Sequence, residues 1–239
     1  MISLLRIAAP LCLIAAVPLA SCNQAQPTLT SGKSEIARSA HSTSEARQCM
    51  LVAAEAFEAL TEHAGTAPID SLATETGSTT DHAHACASHL SASQASELEA
   101  IIQRLGEFRS NHDRTRLALS AVEGYRVIVS AQIRNATDIP LEVALLDYAG
   151  FRYQAGVRSA TPLWSDARQA VDFADGQWRA LSARVSDETL RASLNADIRA
   201  MRTAVDATDV AGAQQAASLE LERVDALEQY FAQRPAGQP

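Results

Sequence analysis

The residues best suited to chemistry lie in one short run, Asp81-His82-Ala83-His84-Ala85-Cys86-Ala87-Ser88-His89, which holds three of the chain's six histidines. Imidazole is a good ligand for Zn, Cu or Ni. In an extended segment His82 and His84 would share a face, and Cys86 and His89, three apart, would share a face of a helix. If Cys86 is tied up in a disulfide, His82, His84 and His89 are the metal ligands that remain, with Asp81 or His63 as further donors to a Zn or Cu ion. The spacing matches neither a paired C-x-x-C site nor H-E-x-x-H. The plainer alternative is a polar loop, rich in histidine, ahead of a stapling cysteine.

Other constellations are thinner. Asp147, Tyr148, Arg152 and Tyr153 sit in LLDYAGFRYQAGV, where a carboxylate among aromatics could line a ligand pocket or form an ordinary salt bridge at a solvated rim. Glu220, Glu222, Asp225 and Glu228, with Arg223 among them, read as a solvated helix face. Trp164 and Trp178, two heptads apart, read as core packing, with a partner-binding stripe as the alternative. No Glu-x-x-His occurs, so a di-iron bundle site is not expected. C-x-x-C-H, a nucleophile elbow, a phosphate loop and a dinucleotide fingerprint are absent too. The expectation is therefore a protein that is not an enzyme. A formal net charge of −8 argues against nucleic acid as a partner, since phosphate binding needs a basic surface.

The first residues, MISLLRIAAPLCLIAAVPLASC, carry Arg6 and then the apolar stretch from Ile7 to Ala20, too short to cross a bilayer core of about 30 Å as a helix. A short apolar run ending in small residues is a secretory signal. Leu19-Ala20-Ser21-Cys22 resembles the lipobox of bacterial lipoproteins. That resemblance implies a signal peptide over 1–21 and cleavage before Cys22. It implies that Cys22 is lipidated and anchors the chain, and, with Asn rather than Asp at position 23, that the chain resides in the outer membrane facing the periplasm. More than one acyl chain makes such anchoring stable. Polar residues 22–41 then form a flexible tether. For the mature domain the sequence suggests two roles: a bundle that binds another envelope protein, or a metal- or small-ligand-binding accessory for envelope transport. The first implies a sizeable exposed apolar stripe.

Of the four cysteines, Cys12 leaves with the signal and Cys22 carries lipid. Cys49 and Cys86 remain in an oxidising compartment, and a Cys49–Cys86 disulfide follows.

The elements that must position these residues are helices. Forty-seven of 239 residues are Ala, and Ala is depleted in strands and favoured in helices. The expected fold is all-α, an antiparallel helical bundle. Ser42 to Glu45 resembles a capping box, followed by a face of Ala46, Met50, Ala53, Phe57, Leu60 and Ala64. Residues 66–85 show no helical period, hold Pro, Gly and Thr-rich patches, and read as a long loop. Ser91 and Gln94 can cap a helix carrying Leu98, Ile101, Ile102, Leu105 and Phe108. Residues 125–133 lie in a helical stretch but are β-branched enough to be a strand. Asp138, Thr161, Ser186 and Thr208 read as N-caps of four further helices. One of these carries an unbroken series of Trp164, Ala167, Val171, Ala174, Trp178, Leu181 and Val185. The expected organisation is a disulfide-bearing helical subdomain over 42–136 and an up-down four-helix bundle over 137–235.

Overall fold

Among the described residues, most stretches in which apolar residues recur at steps of three and four are helical in the computed structural model. It describes residues 31–131 and 139–233, and for 31–43 the backbone alone. The signal segment, Cys22, the tether as far as residue 30 and the Asp138 cap lie outside the described residues. The chain divides into two units, Met1–Ser39 and Ala40–Pro239, and every contact below belongs to the second.

Among the described residues the fold is all-α, with eight α-helices: α1 (Ser31–His63), α2 (Ile69–Cys86), α3 (Ala92–Ser110), α4 (Arg114–Ala131), α5 (Leu141–Val157), α6 (Trp164–Leu181), α7 (Glu188–Asp206) and α8 (Val210–Ala232). Short 3₁₀ turns follow α2 and α6. The stretch 125–131 is helical, so its β-branched residues pack as helix rather than strand. Ser91 and Gln94 form the expected capping box.

Three expectations are corrected. Helix α1 starts at Ser31, so Ser42–Glu45 lies inside it and the backbone of 31–41 is helical rather than a loose tether. The supposed loop 66–85 is mostly helix α2, entered at Pro68, whose φ of −57° is preset for a helix start. Its buried face is Leu72, Thr76, Thr79, Ala83 and Cys86. The steps of four and three are there, written in small and hydroxyl residues instead of large apolar ones. Burial is tolerated because the Thr76 hydroxyl donates to the Leu72 carbonyl at 2.7 Å and that of Thr79 to the Ala56 carbonyl of α1 at 3.2 Å. The caps also shift by one or two residues. Asp187, not Ser186, accepts the amides of Thr189 and Leu190 at 2.9 and 3.0 Å, and Asp209, not Thr208, accepts that of Gly212 at 3.1 Å. Thr208 has a positive φ of 52° and closes α7 instead of opening α8. Leu163, not Thr161, stands at the start of α6.

Two apolar cores result. One gathers α1 to α4 with Tyr148, Phe151 and Ala155 of α5. The other gathers α6 to α8 with Val143, Leu146, Ala149, Tyr153 and Val157 of α5. Helix α5 thus serves both, with 12 of its 17 residues buried, and the halves expected at 42–136 and 137–235 share it. The series from Trp164 to Val185 faces inward, Trp164 half-buried and the rest buried, so both tryptophans pack in the protein's own core.

Close approach fixes Gly124 and Gly150. A Cβ at Gly124 would enter the Phe57 ring of α1, and one at Gly150 would enter the Glu220 carboxyl and Leu221 of α8. Cys49 and Cys86 are disulfide-bonded, with Cα atoms 5.7 Å apart, and pin α2 to α1. Closing this loop stabilises the fold by about 4 kcal/mol in the chain-entropy model. The Cys49→Ser/Cys86→Ser double variant should therefore lower the urea midpoint by the equivalent of about 2–4 kcal/mol. An unchanged midpoint would mean that the native packing alone holds α2.

Candidate functional site

The histidines do not converge. Two helical residues apart means about 200° around the axis, so His82 and His84 leave α2 on different sides. His84 pairs with Glu99 of α3 at 3.2 Å and is exposed; His89 is exposed in the 3₁₀ turn. His63 pairs with Glu75 at 2.8 Å, and Cys86 is consumed by its disulfide. Among the described residues no group of three His, Cys, Asp or Glu is arranged to hold a metal ion.

The polar residues of α5 divide between two faces. Arg152 pairs with Asp166 of α6 and lies 3.3 Å from Glu123 of α4, while its guanidinium donates to the Tyr148 hydroxyl at 2.7 Å. Tyr148 in turn donates to Glu123 at 2.7 Å. This is a partly buried ion-pair network joining three helices. On the other side Asp147 is buried and accepts a hydrogen bond from the Tyr125 hydroxyl at 2.9 Å. Tyr153 donates to the Met201 carbonyl at 3.0 Å.

Asp147 belongs to a group of carboxyls that the sequence does not reveal. Glu220, expected on a solvated face, is 0% exposed, and neither carboxyl oxygen has a hydrogen-bond partner. Glu222 and Asp225 are exposed, Glu228 is half-buried, and Arg223 pairs with Asp197 of α7 at 3.1 Å. Burial pushes the Glu220 carboxyl well above the carboxylate range, and the nearby Asp197 charge adds to this. Burial, then the charges of Glu58 and Glu228, do the same to Asp147, against the opposing effect of the Tyr125 hydrogen bond. Glu58 of α1 is pushed up to about 7, by burial first and then by Glu62, Glu228, Asp225 and Glu55. Glu228 is raised by burial and by Asp225. A carboxyl whose folded pKa is raised binds a proton more tightly folded than unfolded. That proton's contribution is fully present below the ordinary carboxyl values of 3.8 to 4.5 and is lost as pH rises through the folded value. Urea midpoints should fall from pH 5 to pH 8. Glu220→Gln, which cannot ionise, should flatten that slope and gain about 1–3 kcal/mol at pH 8. A midpoint that rises over this range would contradict the arrangement.

Among the described residues, a recess with room for a ligand lies elsewhere. A cavity of about 240 Å³ is bounded by the end of α1 with the turn after it (Thr61, Glu62, Gly65), the start of α4 (Arg114, Thr115, Ala118) and the end of α5 with the turn after it (Gln154, Ala155, Arg158, Ser159, Ala160). Arg114 is held in place by donating to the Ala64 carbonyl at 2.9 Å. Among the described residues neither Arg114 nor Arg158 makes an ion pair, and the Gln154 side chain, 7% exposed, makes no hydrogen bond. These residues come from three distant segments, none with a recognisable spacing; the one sequence cue is the unmatched Arg158 in a turn. No protein-family model, no curated protein and no solved structure matches the chain.

Proposed function

We propose that this is a lipid-anchored protein of the bacterial outer membrane, facing the periplasm, that acts by binding rather than catalysis and takes a small polar molecule in the cavity between α1, α4 and α5. The address rests on the lipobox-like Leu19-Ala20-Ser21-Cys22. The binding role rests on one observation: a cavity of about 240 Å³ whose wall presents polar groups with no protein partner. Buried or half-buried polar groups left without partners are costly unless water or a ligand completes them.

An envelope protein as partner has less support. The large hydrophobics exposed among the described residues are Leu51, Ile69, Leu163 and Val210, each 37–39% exposed and each in a different segment, rather than a stripe. A protein partner would have to dock on a polar surface. A Zn or Cu ion on His82, His84 and His89 has less support still, because the helical geometry of α2 turns the first two apart.

The test has two parts. Acyl labelling and outer-membrane fractionation of the full chain should be lost on Cys22→Ser. Equilibrium dialysis of the detergent-extracted chain against a small-molecule extract should show saturable retention of one compound class, abolished by Thr115→Trp, which fills the cavity from its exposed side. Retention unaffected by that substitution would place the binding elsewhere and refute the role of the cavity.

A further inference from the structure

We infer that the ligand is a compact anion, a carboxylate or phosphate, that carries a hydrogen-bond donor beside its charge, as a small amino or hydroxy acid does. The inference rests on the cavity being the binding site, and it names the chemistry that site recognises.

The arginines of the wall favour a negative charge, and one further side chain there has no protein partner. Arg114 and Arg158 line the cavity without a carboxylate partner among the described residues, in a chain whose net charge is −8 and whose other arginines repeatedly pair with acids, as Arg152 does with Asp166 and Arg223 with Asp197. A guanidinium presents a planar fork of donors that matches carboxylate or phosphate geometry. Thr115 is the second residue of α4, but the Asp113 carboxylate already accepts the Arg116 amide at 3.0 Å and caps this first turn, so the pull on an anion comes from the two arginines. Gln154 supplies the observation independent of charge. It is buried to all but 7%, it lines the cavity, and its amide is without a partner among the described residues. Its polar atoms are not fully enclosed, so they meet whatever fills the cavity, water or a ligand, and a ligand with a matching donor or acceptor can take the place of that water.

Glu62 sets the second half of the specificity. It lines the same cavity, and an ionised carboxylate accepts hydrogen bonds but donates none. A ligand with only acceptors would meet repulsion there; one with an ammonium or hydroxyl beside its anionic group would satisfy Glu62 while the arginines hold the anion. The neighbouring Thr61 hydroxyl is already committed as a donor to the Phe57 carbonyl at 2.8 Å, so it adds no competing donor. The size of the cavity, below the usual range of about 300–1,000 Å³ for drug-sized ligands, suits a molecule of this class rather than a nucleotide or a lipid.

Calorimetry on the detergent-extracted full chain tests this with L-serine, acetate and inorganic phosphate as anionic probes, and serinamide and acetamide as the matching probes without an anion. The expected result is one saturable site that binds serine more tightly than acetate and binds the amides at least about tenfold more weakly than their acids. Phosphate binding as tightly as serine would favour a phosphate-bearing ligand within the same class. Arg158→Gln, at an exposed side chain whose loss leaves no buried group unpaired, should weaken serine binding about tenfold, and Arg158→Lys should recover part of it. Equal affinity for acid and amide, or no effect of Arg158→Gln, would overturn the anion assignment while leaving the cavity as a binding site. No binding of any probe, charged or neutral, would overturn both.

Discussion

The fold depends on burying α5 from every side. A helix with one apolar stripe can lie on the outside of a bundle, but a helix that is apolar nearly all round must be enclosed. Helix α5 supplies Tyr148, Phe151 and Ala155 to the core of α1–α4, and Val143, Leu146, Ala149, Tyr153 and Val157 to the core of α6–α8. Gly150 is part of the same constraint, since it lets α8 come close enough for Glu220 and Leu221 to cover it. The disulfide pins α2 to α1, and the ion-pair network around Arg152 ties α4 and α6 to α5; α5 is the helix that the two cores share.

The polar groups on α5 sit where this enclosure is tightest, which accounts for their chemistry. On the α4–α6 side Arg152 has two acids and a tyrosine hydroxyl within reach, so its charge is matched. On the α1–α8 side the acids outnumber the bases: Asp147, Glu58, Glu220 and Glu228 are all raised, by burial first and then by neighbouring negative charge, and Arg223 of α8 is engaged by Asp197. A buried carboxyl without partners is stable only with its proton on. At the C-terminal end of the same helix Gln154 and Arg158 turn to the cavity. The helix that organises the core therefore also carries one wall of the proposed binding site.

Much of the architecture was legible in the chain. The steps of three and four from Trp164 to Leu181 name their helix and its buried face, because large apolar side chains dominate any periodicity reading. Helix α2 was illegible for the converse reason: its buried positions are Thr76, Thr79 and Ala83, which a hydrophobic pattern does not register. Glu220 looked like its exposed neighbours because a charged residue between polar ones carries no sign of burial; only the partner helix, with a glycine opposite, reveals it. The histidine run misled because His82-Ala-His84 shares a face only in an extended chain. The cavity could not be read at all, since its walls come from segments some 40 to 50 residues apart and depend on how three helix ends meet.

Native-state hydrogen exchange on the full chain tests the organising role of α5 most directly. If α5 is the shared core, its amides from Val143 to Val157 exchange only through global unfolding, and the slowest amides of α4 and α8 share the same opening free energy and denaturant dependence. Were α4 and α8 to open independently, with different free energies and α5 following only one of them, the chain would be two separable bundles and α5 would not be the element that joins them.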